Sequence, residues 1–202
     1  MISGLVLAAG ASRRMGQRNK LLLPCKGEPI VRRTAFTVLA SRVSEVIVVT
    51  GHDHKAIAQA LVGLPLRLAY NPNYTRGISS SVACGVRSAA AEASAFMVCL
   101  ADLVMLTAQD LDFLIEAFEA QQQTNPGAIV RPVYHTTPGH PVLWPASYRD
   151  VLCNACTRED SQRPIERFAQ NLIYVHVQNE RYVRDVDTEE DYAAQMAGHG
   201  KQ

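Results

Sequence analysis

The sequence predicts an α/β fold, in which one mostly parallel sheet carries helices on both of its faces. The first observation behind this prediction is alternation: short apolar runs of strand length alternate with longer stretches that carry apolar residues at helical spacing. The second is that two of the runs, residues 2–8 and 45–50, are apolar almost throughout, as strands buried on both faces are. Such alternation favours right-handed crossovers between parallel strands. We expect a single three-layer domain over residues 1–197 and a frayed tail at 198–202.

The composition is that of an ordinary globular protein and excludes several classes of partner. The 202 residues are 48% hydrophobic and 19% charged, and the net charge of +1 gives no reason to expect nucleic acid or a membrane surface as partner. No apolar run is long enough to cross a bilayer, and Met1 leads into a strand rather than a signal peptide. The five cysteines are an odd number in a chain that needs no disulfides, so we expect a cytoplasmic location.

The first half of the chain is expected to supply three strands and three helices. The strands are predicted at residues 2–8, 45–50 and 66–69. The helices are predicted at 30–40, where Pro29 suits the start, at 56–62, and from the serines at 79–81, which should cap a helix that runs to about Ala91.

The second half begins with a strand at residues 96–100, which delivers Asp102 to its carboxyl end, where ligands bind in open α/β sheets. Thr107 and Asp110 predict a capped helix whose inner face holds Leu111, Leu114, Ile115 and Phe118. The remaining expectations are a strand at 128–130, helices over 147–170 with a polar break at 157–164, antiparallel strands at 172–177 and 182–186, and a last helix capped within 187–191.

The loop that follows the first strand, residues 9–20, is rich in small residues and cations. Glycines let the backbone approach anionic oxygens closely, while arginine and lysine neutralise charge, so the loop suits a polyphosphate. Neither G-x-x-x-x-G-K-[ST] nor G-x-G-x-x-G is present, which excludes two familiar phosphate loops. The alternative is a basic surface loop without a ligand.

Residues 7–20 read L-A-A-G-A-S-R-R-M-G-Q-R-N-K. This resembles L-A-A-G-x-S-x-R-M-G-x(2–3)-K, the signature loop of the MobA-like nucleotidyltransferases, and within that family most closely the molybdenum cofactor cytidylyltransferases. The resemblance implies a Rossmann-like fold of the nucleotide-diphospho-sugar transferase type. It also implies a set of nucleotide-binding residues in this loop, with Arg14 and Lys20 acting in catalysis: Leu7, Ala8, Ala9, Gly10, Ser12, Arg14, Met15, Gly16 and Lys20.

Asp102 and Asp187 are the candidate metal ligands. Each follows a predicted strand, and two carboxylates together with phosphate oxygens are enough to hold Mg²⁺. The resemblance implies the same, because residues 185–191 (D-V-D-T-E-E-D) match the family's D-[IV]-D-T-x-E-D, and it adds a catalytic role for Asp102. The family's Asp-x-Pro is absent, since Asp102 is followed by Leu103 and Val104. The alternatives are a helix N-cap at Asp187 and a solvated loop carboxylate at Asp102.

Residues 71–81 form a second loop for the nucleotide. They resemble the family's N-P-x-[YW]-x-x-G-[MI]-x-x-S, which implies nucleotide contacts from Asn71, Gly77, Ser80 and Ser81. Serine hydroxyls and helix N-terminal amides suit an anion or a base, although a plain helix cap would also explain the serines.

The acceptor side of the resemblance depends on Gly139, His140 and Arg163. Gly139-His140-Pro141 matches a G-H-P stretch of the family, although a lone histidine is more often structural than catalytic. The family's G-D-x-G-A-R has no clear counterpart, and Arg163 with Asp160 could take its place.

The reaction implied is Mg²⁺-dependent transfer of CMP from CTP to the terminal phosphate of molybdenum cofactor (molybdopterin), with release of pyrophosphate. A phosphate nucleophile is already anionic at neutral pH, so no general base is needed. A molybdoenzyme that receives the cofactor is the protein partner that this reading implies. The alternatives are a GTP-dependent enzyme, which would normally carry L-A-G-G at residues 7–10, an enzyme for a sugar or alcohol phosphate, and a non-catalytic nucleotide-binding accessory protein of a molybdoenzyme.

Overall fold

The computed structural model describes residues 1–12, 18–154, 164–186 and 188–197. Its strands are β1 (Ile2–Ala8), β2 (Pro24–Cys25), β3 (Glu28–Pro29), β4 (Glu45–Thr50), β5 (Arg67–Tyr70), β6 (Ala95–Leu100), β7 (Ile129–Tyr134), β8 (Thr137–Pro138), β9 (Val142–Pro145) and β10 (Leu172–His176). Its α-helices are α1 (Ile30–Leu39), α2 (His54–Ala60), α3 (Ile78–Ser88), α4 (Ala108–Thr124), α5 (Arg149–Asn154) and α6 (Glu189–Ala197). Short 3₁₀ turns lie at 20–22, 74–76, 146–148, 164–171 and 180–182.

The main sheet has the strand order β10-β7-β9-β6-β1-β4-β5, with β8 paired to β7, while β2 and β3 form a separate hairpin. β1 pairs in parallel with β4 and β6, and β4 pairs in parallel with β5. β9 runs antiparallel between β6 and β7, so the sheet is mixed but mostly parallel, as predicted.

Alternate side chains of β1 build two apolar layers. Val6 packs in a layer with Val31 of α1 and Leu114 of α4, whereas Leu5 packs on the opposite face with Val86 of α3. Because successive residues of a strand point to opposite faces, one apolar strand serves both layers. The fold therefore has the three layers that the sequence predicts.

Helix α4 forms where the sequence predicts it, and for the predicted reason. The Thr107 hydroxyl accepts a hydrogen bond from the Asp110 amide, and the Asp110 carboxylate accepts one from the Thr107 amide, which satisfies two otherwise unpaired donors. The four predicted inward residues, Leu111, Leu114, Ile115 and Phe118, are all buried.

The prediction that serines cap α3 is wrong. The N-cap is Gly77, at φ 103°, and the three serines lie inside the first turns of the helix, which ends at Ser88 rather than near Ala91. A glycine can adopt this positive φ without steric cost, so the chain turns into the helix two residues before the first of these serines.

Two expectations about the second half of the chain are also wrong, and one strand was not expected. Strand β10 pairs parallel to β7, not antiparallel. Residues 182–186 form no strand: Tyr182 is the last residue of the 3₁₀ turn Glu180–Tyr182, and residues 183–186 continue as a turn and irregular backbone. Strand β9 was not predicted, since prolines at 138, 141 and 145 interrupt its pattern. Most of the expected polar break, residues 157–163, lies outside the described residues, as does the tail from 198.

Helix α6 is capped by the residue after Asp187. The Thr188 hydroxyl accepts a hydrogen bond from the Asp191 amide, and the Asp191 carboxylate accepts one from the Thr188 amide. In the described part of the chain, no helix combines the length and the apolar character that a membrane span requires.

Candidate active site

Three neighbouring parallel strands, β4, β1 and β6, end at the same edge of the sheet, and the loops that follow them meet there. A cavity of about 290 Å³ opens at this edge. Leu7 and Leu100, the residues at or next to the ends of β1 and β6, form part of its wall. The predicted residues that line the cavity are Leu7, Ala9, Gly10, Ser12, Lys20, Gly77, Ser81 and Asp102.

Lys20 and Asp102 form an ion pair at the carboxyl end of β6. The Lys20 Nζ atom lies 2.5 Å from Asp102 Oδ2, and the two side chains are only 15% and 11% exposed. The backbone of Ala101 is fixed on two sides, because its amide donates to the Leu7 carbonyl and its carbonyl accepts from the Thr34 hydroxyl. The carboxylate is thus presented from a rigid support, which is what charge stabilisation in a site requires.

Leu103 and Val104, which replace the family's x-Pro, are 2% and 3% exposed and pack in the apolar layer beneath the sheet edge. Two buried side chains directly after Asp102 anchor the turn in the way that proline rigidity otherwise would. The second carboxylate oxygen of Asp102, Oδ1, is buried and has no hydrogen-bond partner among the described residues. A buried carboxylate oxygen without a donor fits a hard cation such as Mg²⁺ or Mn²⁺.

The described part of the chain contains no group of three or more His, Cys, Asp or Glu side chains that could hold a metal on its own. Asp102 is thus the one predicted metal ligand whose surroundings are seen. Four predicted site residues of the two nucleotide-side motifs lie outside the described residues: Arg14, Met15, Gly16 and Asp187. Arg163, predicted for the acceptor, lies outside them as well.

A set of side-chain bonds ties the end of the first loop to the start of α2. The Asn19 side chain accepts from the Leu21 amide and donates to Asp53 Oδ2 at 3.1 Å, and the Lys20 amide donates to the Ser12 hydroxyl at 3.2 Å. We call Ser12, Asn19 and Asp53 the loop clasp. The clasp fixes the backbone of Lys20, so the lysine reaches Asp102 from a defined position.

Ala9 lies in the wall of the cavity beside Gly51 and Tyr74. A Cβ atom at Gly51 would lie 2.6 Å from the Tyr74 Cβ and 2.9 Å from the Ala9 Cβ, so only glycine allows this packing. The Ala9 carbonyl also accepts from the His52 amide. The Ala9 methyl group is therefore held in place, 4% exposed, at the point where the strand opens into the loop.

Asn71 and Ser80 lie behind the cavity rather than in it. Asn71 is 3% exposed and its Nδ2 atom donates to the hydroxyls of Ser80, at 2.9 Å, and Ser81, at 3.1 Å. Ser80 in turn donates to the Gly77 carbonyl at 2.8 Å. These contacts hold the loop in shape and leave Gly77 and Ser81 to face the cavity. Ala8 is likewise buried away from it, in the apolar core.

A larger cavity of about 560 Å³ lies beside the first, over β9, β7 and β10. Its wall is mainly apolar and aromatic, including Trp144 and Tyr174, with Arg131 and His140 as its basic members. Gly139 itself is buried, and a Cβ atom there would collide with the Tyr182 carbonyl oxygen. Of the predicted acceptor residues, His140 lines this cavity and Gly139 supports the turn that precedes it.

His140 is a neutral imidazole at neutral pH. Burial, reinforced by the charge of Arg131, lowers the pKa of His140 to about 4, against a smaller opposing effect from its hydrogen bond to the Val98 backbone. Its Nδ1 atom is buried without a hydrogen-bond partner among the described residues. A neutral histidine in this setting is not a ready proton donor at neutral pH.

Sequence reasoning missed Asn19, Asp53 and Tyr74 as parts of the site. The side chains of Asn19 and Asp53 form a hydrogen bond although 34 positions separate the two residues, and no local sequence pattern predicts this contact. The available signal was position: Asp53 follows the end of a buried strand, at the edge where ligands bind.

The cavity and the loop after β1 lie together at the carboxyl ends of parallel strands, where open α/β proteins bind ligands, so the fold and the site define an α/β ligand-binding protein. Residues 4–174 match the MobA-like NTP transferase domain family, and the chain belongs to that family. The family predicted from the sequence is thus confirmed, and a nucleotidyltransferase role follows from it.

Relatives of the chain carry different names. It is 27% identical to the nicotine blue oxidoreductase of Paenarthrobacter nicotinovorans over 94% of this chain and 93% of that one. It is 34% identical to the purine catabolism protein PucB of Bacillus subtilis, covering 69% and 73% of the two chains. It is 27% identical to a probable molybdenum cofactor guanylyltransferase of Natronomonas pharaonis, covering 79% and 76%.

Solved structures share the fold. A nucleotidyl transferase from Methanothermobacter superposes with a TM-score of 0.80 at 23% identity, covering 98% of this chain and 97% of that one. A Mycobacterium tuberculosis protein in complex with manganese superposes with a TM-score of 0.75 at 18% identity, covering 97% and 98%.

Proposed function

We propose that this protein transfers CMP from CTP to the terminal phosphate of molybdenum cofactor (molybdopterin), releases pyrophosphate and requires Mg²⁺. The observation that carries the proposal is the Lys20–Asp102 pair, which joins the signature loop to the carboxyl end of β6 in the wall of one cavity. The cation from the loop would neutralise phosphate charge, and the carboxylate from the turn after the strand would bind the metal ion.

The chain's own residues account for most of the chemistry. Lys20, with Arg14 and the loop amides, would hold the β- and γ-phosphates and stabilise the departing pyrophosphate. A divalent cation held by Asp102 and Asp187 would neutralise charge at the α-phosphate. The acceptor phosphate needs no base, and the neutral His140 agrees with a reaction that depends on alignment rather than proton transfer.

The preference for CTP rests on Ala9. Its methyl group packs beside Gly51 in the cavity wall, and in this proposal it would exclude the larger purine ring. The relative named as a guanylyltransferase supports molybdenum cofactor chemistry in the family, while the alanine supports cytosine in this chain.

The acceptor is assigned to the larger cavity, beside the nucleotide. Arg131 and His140 would face the polar part of molybdopterin, and Trp144 and Tyr174 its flat ring system. Arg163 would add a cation from the segment that follows α5. A molybdoenzyme that takes up the product is the proposed protein partner.

A second candidate comes from the relative that spans nearly the full chain and is named nicotine blue oxidoreductase. A redox activity, or a nucleotide-binding accessory role without turnover, would leave the loop in place but release no pyrophosphate. Transfer to a sugar or alcohol phosphate is the remaining alternative within the family.

The test is a pyrophosphate-release assay with CTP, GTP, ATP and UTP, each with and without molybdopterin, in Mg²⁺ or Mn²⁺. We expect release that requires molybdopterin, is fastest with CTP, and yields the cytosine dinucleotide of the cofactor by mass spectrometry. Pyrophosphate release with a sugar phosphate in place of molybdopterin would identify the sugar phosphate as the acceptor instead. Nucleotide binding without any release would favour the accessory role.

A further inference from the structure

The two cavities meet at Ile78. It is the first residue of α3, and among the described residues it alone lines both cavities. Its neighbours divide between them, since Ser79 lines the larger cavity and Ser81 the smaller. The first turn of α3 is thus the partition between the proposed nucleotide and acceptor sites.

Ile78 is 46% exposed, although large apolar side chains gain stability only where they leave water. It belongs to neither apolar cluster of the described core. The preceding residue, Gly77, is the N-cap of α3 and has a φ of 103°, which sets the direction in which the chain enters the helix at Ile78. The fold therefore presents an apolar side chain at the one point that both substrates would touch.

We propose that Ile78 is a binding residue that packs against both substrates and couples their binding. This inference rests on the proposed function. With nucleotide in the smaller cavity and acceptor in the larger, the side chain is covered from two sides and loses its exposure. Each ligand then completes part of the other's site, so the two affinities become linked.

The test compares Ile78→Ala with Ile78→Met, which keeps the apolar volume, and with Val62→Ala. Val62 is 63% exposed and lines neither cavity, so it controls for loss of an exposed apolar side chain. Affinities are measured by titration calorimetry for the α,β-methylene analogue of CTP alone, for molybdopterin alone, and for each in the presence of the other.

We expect Ile78→Ala to weaken each ligand about five- to tenfold, as partial loss of an apolar contact does, and to reduce the coupling between them. Ile78→Met should restore both affinities, and Val62→Ala should leave them at the wild-type value. A loss confined to one ligand, or no loss, overturns the role of Ile78 while transfer by the wild type upholds the proposed function. A wild type that binds neither ligand overturns both.

Discussion

The ammonium group of Lys20 lies 2.5 Å from the carboxylate of Asp102, although 82 positions separate the two residues in the chain. One belongs to the loop after β1 and the other to the turn after β6, and both strands end at the same sheet edge. The pair holds a cation and an anion in fixed relation in the wall of the cavity. A phosphate and a metal ion could each take one member of this pair as partner.

Replacing Lys20 by alanine is expected to lower kcat/KM for nucleotidyl transfer about 10²- to 10³-fold, the cost of removing one preorganised donor to developing charge. The measurement is pyrophosphate release at saturating metal. Lys55→Ala, an exposed lysine on α2, is the matched control and should keep wild-type activity. A folded Lys20→Ala protein with wild-type kcat/KM would contradict the role of this lysine.

Asp102→Asn should raise the Mg²⁺ concentration needed for half-maximal activity by about an order of magnitude or more, because the amide keeps the shape but loses the charge that binds a hard cation. The readout is a metal titration of the transfer rate. Asp187→Asn should behave in the same way, and Asp150→Asn, on the exposed start of α5, should not. Unchanged metal titrations for both site variants would exclude these carboxylates as ligands.

Ala9→Gly is expected to narrow the preference for CTP over GTP, mainly by admitting GTP. Excess volume in a packed site costs roughly 1–3 kcal/mol, so removing one methyl group can raise kcat/KM for the larger base several-fold. The measurement is the ratio of kcat/KM values for the two nucleotides. Equal use of both by the wild type, or no gain of GTP in the variant, would place base selection elsewhere.

His140 makes the protein less stable in acid. Its pKa is about 4 in the folded state against 6.5 for an ordinary histidine, so between these values the unfolded chain binds a proton that the folded chain does not. The free energy of unfolding therefore falls as the pH is lowered from 6.5 to 4, by up to about 3 kcal/mol at ~1.4 kcal/mol per unit of pKa difference.

The measurement is denaturant unfolding between pH 4 and pH 7 for the wild type, His140→Gln and His176→Gln, the last an exposed histidine on β10. The free energy of unfolding should depend less steeply on pH in His140→Gln than in the wild type, and equally steeply in His176→Gln. If the His140→Gln protein keeps the wild-type slope, another group is responsible for it.

Local signals in the sequence predicted the elements that depend on neighbours. The capping box of Thr107 and Asp110 and the buried runs of β1 and β4 are each specified within a few residues, and all three were predicted correctly.

Features that depend on distant partners could not be predicted in this way. The direction of β10 is set by its pairing with β7, some forty positions earlier, and the residue pattern of a strand does not encode its direction. The Asn19–Asp53 contact could not be predicted either, because the sequence around each residue does not indicate which distant residue it will contact. The cavity could be placed at a sheet edge from the sequence, but the presence of Tyr74 and Ile78 in its wall could not be predicted.

The position of strand β9 determines which substitutions can alter each cavity separately. It lies in the sheet between two groups of strands and pairs with β6 over only four residues. On one side are β5, β4, β1 and β6, and on the other are β7, β8 and β10. Every described residue that lines the smaller cavity lies between positions 7 and 102, whereas most of those that line the larger cavity lie at position 131 or later. Substitutions in β7, β8 and β10 would therefore reshape the larger cavity and leave the wall of the smaller one unchanged.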